Sequence, residues 1–306
     1  MGTEFVAAAG MPEVDGAPGI RHRRVDVGNG VGLHVAEAGE EDAPGGTVVL
    51  LHGFPQHWYA WRHLIPQLAA DHRVLCPDMR GFGWSDTPAR GYDTGTRVAD
   101  VLAVMDALGV GRARLVAHEF GAWTAFRLCL LAPGRVSHLL ALNAVHPWPL
   151  HRRLVPQAWR YWYTSPLESP LVGRFVLRHV PGFTRYLLRK GVADPGAWEA
   201  DAMDEFVRAA GERGRARAGE AMHRAYALRD IPRLVLGRNK KLRLTVPTLI
   251  LAGERDAVLP PSVFTPAGRY ADDLTVEVVP GCGHFVHEER PDVVLRAARG
   301  LFAGGR

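Results

Sequence analysis

The pattern that most constrains the fold is a recurrence of short apolar runs separated by helix-length segments. Thr47 to Leu51, Arg73 to Cys76, Arg114 to Ala117, Leu139 to Asn143, Thr248 to Ala252 and Leu274 to Val279 are strand-sized and rich in Val and Leu. Near-continuous apolar runs of this length suit strands buried on both faces. Between most of them lie stretches long enough for a helix, such as Arg97 to Leu108 and Ala122 to Leu131. Strands alternating with helices predict an α/β fold with a mostly parallel central sheet flanked by helices. Ahead of that sheet, Arg24 to Val27 and Val31 to Ala36 flank Gly28-Asn29-Gly30, which predicts a β-hairpin.

One interval breaks the rhythm. From about Trp148 to Leu244 there is no convincing strand, only amphipathic stretches carrying Trp, Tyr, Arg and Pro. A block of that length between two sheet strands predicts an inserted helical cap, or lid. The expected division is a flexible N-terminal tail at 1–20, an α/β core at 21–147 and 246–306, and a helical cap at 148–245.

Composition narrows the classes further. With 306 residues, 47% hydrophobic and 23% charged, the chain is neither disordered nor collagenous nor a coiled coil. Cys76, Cys129 and Cys282 are too few and scattered for a disulfide framework, and none has metal-ligand spacing. No apolar run approaches the roughly 18 residues of a membrane span, and the first residues lack the look of a secretion signal. A cytoplasmic location is expected, with oligomeric state left open between monomer and homodimer.

The net charge of +5 is unevenly placed. Residues 151–245 hold 19 Lys and Arg against 9 Asp and Glu, a charge of +10, and the rest holds 18 against 23, a charge of −5. A basic lid on an acidic core carries no nucleic-acid motif. Solvated helix faces account for it, with an anionic substrate or acidic partner as the alternative. Gly81-Phe82-Gly83 and Gly109-Val110-Gly111 lack the third Gly and the strand-to-helix setting of a dinucleotide site. His284 and His287 lie three apart with no convincing third ligand. Neither a cofactor nor a metal is expected.

Chemistry concentrates in four loops, each following a predicted strand. In open α/β sheets, sites gather at the carboxyl ends of the strands, so these loops should converge. After Thr47 to Leu51 comes His52-Gly53-Phe54-Pro55, where a Gly-containing turn can aim a backbone N–H into a pocket. After Arg114 to Ala117 comes Ala117-His118-Glu119-Phe120-Gly121. Small residues two before and two after Glu119 permit the tight bend that exposes a nucleophile. The alternative is a Glu that merely favours a helix N-terminus, by about 0.3–1 kcal/mol. Gly253-Glu254-Arg255-Asp256 offers an acid that could orient a histidine or sit solvated in its loop. Gly281-Cys282-Gly283-His284-Phe285 offers a Gly-flanked histidine. Their order along the chain is backbone donor, acidic elbow, Asp and His.

On these residues the chain resembles the cap-bearing α/β-hydrolase superfamily, most closely its epoxide-hydrolase branch, over about Arg24 to Phe302. Further matching stretches are Trp58 with Trp61-Arg62, Asp78-Met79-Arg80-Gly81-Phe82-Gly83 with Ser85-Asp86, Pro133 with Arg135-Val136, and Glu289 with Pro291. The resemblance implies a cofactor-free hydrolase that opens a small-molecule epoxide to a vicinal diol. Glu119 takes the nucleophile position, His284 the base that activates water, and Asp256 the acid that orients it. The backbone N–H groups of Phe54 and Phe120 become the oxyanion donors. Tyr163 corresponds to the first cap tyrosine, and either His223 or Tyr226 to the second.

Glu119 departs from the family, whose elbow normally carries Asp. One extra methylene moves the carboxylate by about 1.5 Å, and a misplacement near 1 Å can cost on the order of a hundredfold in rate. Three readings stay open: a working nucleophile in a reshaped pocket, a base or electrostatic group without a covalent step, or a protein whose covalent step is lost. The Phe120 side chain has no indole N–H of the kind with which related dehalogenases hold halide, so a haloalkane or haloacid dehalogenase is the weaker enzymatic alternative. A non-catalytic binding protein of the same fold is the alternative outside enzymes.

Overall fold

The computed structural model of the chain describes residues 2–17, 19–144, 146–148, 162, 164–264 and 268–304. Among the described residues nine strands form one sheet in the order β1-β2-β3-β5-β4-β6-β7-β8-β9. The strands are β1 (Thr3–Phe5), β2 (Arg21–Asp26), β3 (Gly32–Ala38), β4 (Thr47–Leu51), β5 (Arg73–Pro77), β6 (Ala113–His118), β7 (Val136–Leu142), β8 (Thr248–Gly253) and β9 (Leu274–Val279). From β5 to β9 every neighbouring pair is parallel, while β1 to β3 join antiparallel. The hairpin expected around Gly28-Asn29-Gly30 forms, and all three turn residues take positive φ, 89°, 56° and 69°. Gly and Asn are the residues that reach that region at least cost.

Alternation along the strands explains the layering. Val49, Leu51, Leu115, Ala117 and Ile250 point into one apolar cluster, and Val48, Leu50, Val116, Leu140 and Leu249 into another on the opposite face. The first is covered by α1 (Thr94–Ala107) and α2 (Phe120–Leu131), through Val98, Val101, Val104, Met105, Phe126 and Cys129. With both faces apolar, the sheet is stable only when sandwiched.

Among the described residues a one-turn helix, Ser165–Glu168, and five longer ones lie between β7 and β8: α3 (Val172–His179), α4 (Pro181–Gly191), α5 (Ala200–Gly211), α6 (Arg213–Ala225) and α7 (Ile231–Val235). A π-helical turn, Tyr226–Asp230, links α6 to α7. Their apolar stripes meet the core in two places. Leu177, Ala218 and Met222 pack on Phe54, Phe82 and Phe120, and Leu188, Trp198, Met203 and Phe206 pack on Ala60 and Phe285. The helical insertion thus sits over the loops at the carboxyl ends of the strands. Some of its arginines are paired locally, as in Arg174 with Glu220 and Arg185 with Asp204, but the excess of basic over acidic residues remains after that pairing.

The first twenty residues differ from the expected tail. Thr3–Phe5 adds a strand to the sheet edge, with Thr3 opposite Val25, and Val14 is buried against the core. Met11, Ala17 and Ile20 pack on the same cluster. These apolar residues are spaced too widely to register as a periodic element, yet each finds cover.

Candidate active site

Register brings the loops together. Leu51 pairs with Ala117, His118 with Leu142, and Leu142 with Leu251, so the loops after β4, β6, β7 and β8 leave the sheet side by side. At the end of β6 the backbone turns at Glu119, with φ 50° and ψ −112°, and α2 begins at Phe120. A non-glycine residue there is strained by about 1–3 kcal/mol and persists only where its surroundings over-determine it. Those surroundings explain the small neighbours. A side chain at Gly121 would drive into the carbonyl oxygens of Leu51 and His52, and one at Gly53 would meet His118 Nδ1 and the Glu119 side chain.

The bend aims the Glu119 carboxylate at the loop after β4, where the Phe54 N–H donates to Oε2 at 2.9 Å. Burial pushes this carboxyl above its usual range. The N–H groups of Phe54 and Phe120, His284 and Arg97 oppose that shift by favouring the charged form. Arg97 was not foreseen. It is 2% exposed, its guanidinium stands 5.5 Å over the Phe120 ring, and it donates to Thr124 Oγ1, Tyr92 O and Thr94 Oγ1.

His284 lies in the loop after β9. Its Nδ1 donates to Asp256 Oδ2 at 2.9 Å, which leaves Nε2 as the site of the lone pair. Burial disfavours the imidazolium, but Asp256, helped by Glu119 and Glu289, outweighs that and raises the pKa above 6.5. Asp256 is itself fixed: its Oδ1 accepts from the N–H groups of Val258 at 2.7 Å and Leu259 at 2.8 Å.

Three further residues, to which the sequence reading assigns no role, hold this pair. Asn143, just past β7 with φ 47°, donates from Nδ2 to Asp256 Oδ2 at 2.9 Å and to Gly283 O at 3.1 Å. His118 Nε2 donates to His284 O at 3.0 Å. Glu289 accepts from the N–H of Gly283 at 2.7 Å and, across the boundary with the insertion, from those of Ala193 and Asp194 at 2.8 and 3.2 Å. Asn143 had a signal: it is a polar residue at a strand end, the rule that found the other four loops.

Of the expected insertion contacts, Tyr163 lies outside the described residues. His223 and Tyr226 both reach the site. The His223 ring stands edge-on to Phe54 and Phe120, 4.6 and 5.1 Å between centroids. Tyr226 stands edge-on to Phe120 and Trp123, at 5.3 and 5.7 Å. Trp198 packs on Phe206 and Phe285, with its indole N–H on Leu188 O. Among the described residues no group of three or more His, Cys, Asp or Glu is arranged to hold a metal ion. No described helix is long and apolar enough to cross a membrane.

Comparison with known proteins agrees with this geometry. Residues 46–291 match the alpha/beta hydrolase fold family. The soluble epoxide hydrolase of a Corynebacterium species is 28% identical, with 93% of this chain and 98% of that protein aligned. Epoxide hydrolase A of Mycobacterium tuberculosis is 32% identical over 94% of this chain and 98% of its own length. The crystal structure of epoxide hydrolase A from Mycobacterium thermoresistibile superposes with a TM-score of 0.79 at 28% identity, covering 93% of this chain and 98% of that one. With the strand order, the strained elbow and the His–Asp pair in place, the chain belongs to the α/β-hydrolase fold family and is an epoxide-hydrolase-like member of it.

Proposed function

We propose that the protein hydrolyses epoxides to vicinal diols through a covalent ester on Glu119. The observation that carries this reading is the Phe54 N–H on Glu119 Oε2, at a strained elbow beside His284. In the first half-reaction a Glu119 oxygen attacks a ring carbon and the C–O bond of the epoxide breaks. The leaving alkoxide takes a proton from a donor in the insertion, for which Tyr163 and Tyr226 are the candidates. In the second half, His284 Nε2 removes a proton from water, which attacks the ester carbonyl carbon. Negative charge builds on the carbonyl oxygen facing the Phe54 and Phe120 N–H groups, where preformed donors act most strongly. As that intermediate collapses, the His284 imidazolium gives its proton to the departing diol oxygen, and the proton of the new carboxyl returns to the phenolate, which restores the Glu119 carboxylate and the donor. Asp256 keeps the proton on His284 Nδ1 and stabilises the imidazolium that forms.

The same reading divides the chain into a core at 21–147 and 246–306 and a cap at 148–245. It places the protein in the cytoplasm, as a monomer or homodimer acting on a small-molecule epoxide. A single turnover on styrene oxide in H2(18)O, with enzyme in excess, tests the chemistry. The ester route puts the label into Glu119 and leaves the first diol unlabelled. Label in the first diol would mean direct attack by water with Glu119 as base, and absence of diol would sink the hydrolase reading.

A further inference from the structure

His223 occupies the roof of the site, yet it cannot do what a tyrosine in that place does. Its Nδ1 faces the backbone carbonyl of Gly219, one turn back on α6, at 2.8 Å. A carbonyl oxygen only accepts, so Nδ1 carries the proton and the lone pair belongs to Nε2. The packing reinforces that assignment. Phe54 and Phe120 meet the ring edge-on, and Gly219 has no side chain because one would strike the Phe54 ring. Burial drops the His223 pKa to about 4, with the nearby Arg97 guanidinium acting in the same direction, so the ring stays neutral. Among the described residues the one hydrogen bond of this ring is that of Nδ1 to Gly219 O, and Nε2 has none.

The ring lies on the two residues whose backbone N–H groups face the Glu119 carboxylate. An epoxide carbon brought in front of that carboxylate would put a substituent one carbon away within reach of the imidazole. We infer that His223 Nε2 is a hydrogen-bond acceptor for the substrate, and that the site selects epoxides bearing a hydroxyl on the carbon beside the ring. The inference rests on the epoxide-hydrolase reading for the identity of the ring, and on His223 alone for the hydroxyl. An ether at the same carbon offers no donor and leaves Nε2 buried and unsatisfied once water is expelled, so the penalty falls on the ether. Proton donation to the epoxide oxygen then rests with a tyrosine, since His223 has no second N–H to give.

The test compares a 2,3-epoxy alcohol, 3-phenylglycidol, with its O-methyl ether. Binding of each is measured by calorimetry to the Glu119→Gln protein, where no ester can form. The alcohol should bind about tenfold more tightly than the ether, the worth of one hydrogen bond at a dry site. His223→Leu should abolish that preference, and His223→Gln, which keeps an acceptor, should restore part of it. Equal binding of the two ligands to the Glu119→Gln protein overturns the inference without recourse to any change at 223. Persistence of the preference in His223→Leu overturns it as well. Turnover by the unaltered protein separates the two readings. Diol from both substrates at equal kcat/KM leaves the hydrolase standing and removes the acceptor, whereas hydroxyl preference in binding with no diol from either does the reverse.

Discussion

The Phe54 N–H and the Glu119 carboxylate are direct partners, 2.9 Å apart, although they lie 65 residues apart in the chain. This contact decides how the longer elbow side chain is accommodated. The extra methylene of Glu relative to Asp does not throw the carboxylate past the backbone donors; the chain folds so that Oε2 lands on one of them. A group held there can become an ester whose carbonyl oxygen already sits where negative charge will develop.

Shortening the side chain is therefore expected to hurt. Glu119→Asp withdraws the carboxylate by about 1.5 Å from a donor placed for Glu, and kcat should fall on the order of a hundredfold. Glu119→Gln should remove diol formation altogether and leave the melting temperature close to that of the parent, because the amide keeps the shape. Intact-mass spectrometry of His284→Gln with styrene oxide should show one adduct mapping to Glu119. Glu119→Asp turning over faster than the parent would mean that the contact with Phe54 is unproductive.

Activity should be lost on the acid side. Burial raises the Glu119 carboxyl above its usual value, and Asp256 holds the His284 imidazolium so that its pKa exceeds 6.5. Nucleophile and base both work in their deprotonated forms, so each loses activity as pH falls through its raised pKa. The kcat profile should show an acid limb above pH 6.5. Asp256→Asn removes the charge that raises His284, so the residual activity should show its limb shifted to lower pH. A limb that stays in place would detach His284 from that assignment.

Asn143 is expected to matter for rate and not for affinity. It holds Asp256 Oδ2 and the Gly283 carbonyl, and so fixes acid and histidine loop from one amide. Asn143→Ala removes a hydrogen bond to a charged group, worth about 1.5–3 kcal/mol. The fall in kcat should be between about tenfold and a hundredfold, with KM little changed. A rise in KM at constant kcat would instead place Asn143 at the substrate.

The part of this site that was legible from the residues is the part built on local rules. Thr47–Leu51 and Leu274–Val279 announce themselves as strands by composition, and Glu119, Asp256 and His284 by position in strand-end loops. Asn143 was seen only as the last residue of a strand, since its role depends on a bond to a residue 113 positions away. Arg97 was passed over within α1, because nothing local says that its charge turns inward over the Phe120 ring. His223 and Tyr226 could not be told apart by pattern; what separates them is the Gly219 carbonyl on His223 Nδ1. Thr3–Phe5 escaped because a three-residue edge strand has too few residues to show alternation.

Glu289 should couple the insertion to the histidine loop. One carboxylate accepts from Gly283 beside His284 and from Ala193 and Asp194 just past α4, while the His284 N–H donates to Gly191 O at 2.5 Å. Glu289→Ala orphans three N–H groups, each part-buried or at the rim, at a cost on the order of 2 kcal/mol. Hydrogen exchange at Ala193 and Gly283 should quicken together, and kcat and KM should both worsen. Faster exchange at Ala193 alone would mean that the two segments are held independently.

Acid should weaken the fold through its buried, neutral histidines. His52 is fully buried, donates from Nδ1 to Gly53 O and accepts the Met79 N–H at Nε2, so protonation would break a bond. Burial lowers its pKa to about 4, as it does for His223, and drives His118 and His287 well below 6.5. In the unfolded chain all four return to about 6.5. Between those values the unfolded state binds more protons than the folded one, so stability falls as pH drops below 6.5. Each such histidine contributes up to about 1.4 kcal/mol per pH unit. His284 does not offset this, because its raised pKa leaves it protonated in both states across that window, and its own contribution fades only as pH rises above 6.5. The urea midpoint should therefore drop steadily from pH 6.5 to pH 4.5, and His223→Phe should flatten that slope by one histidine's share. A midpoint constant across the window would mean that these histidines are protonated in the folded protein. That result would also remove the neutral, accepting His223.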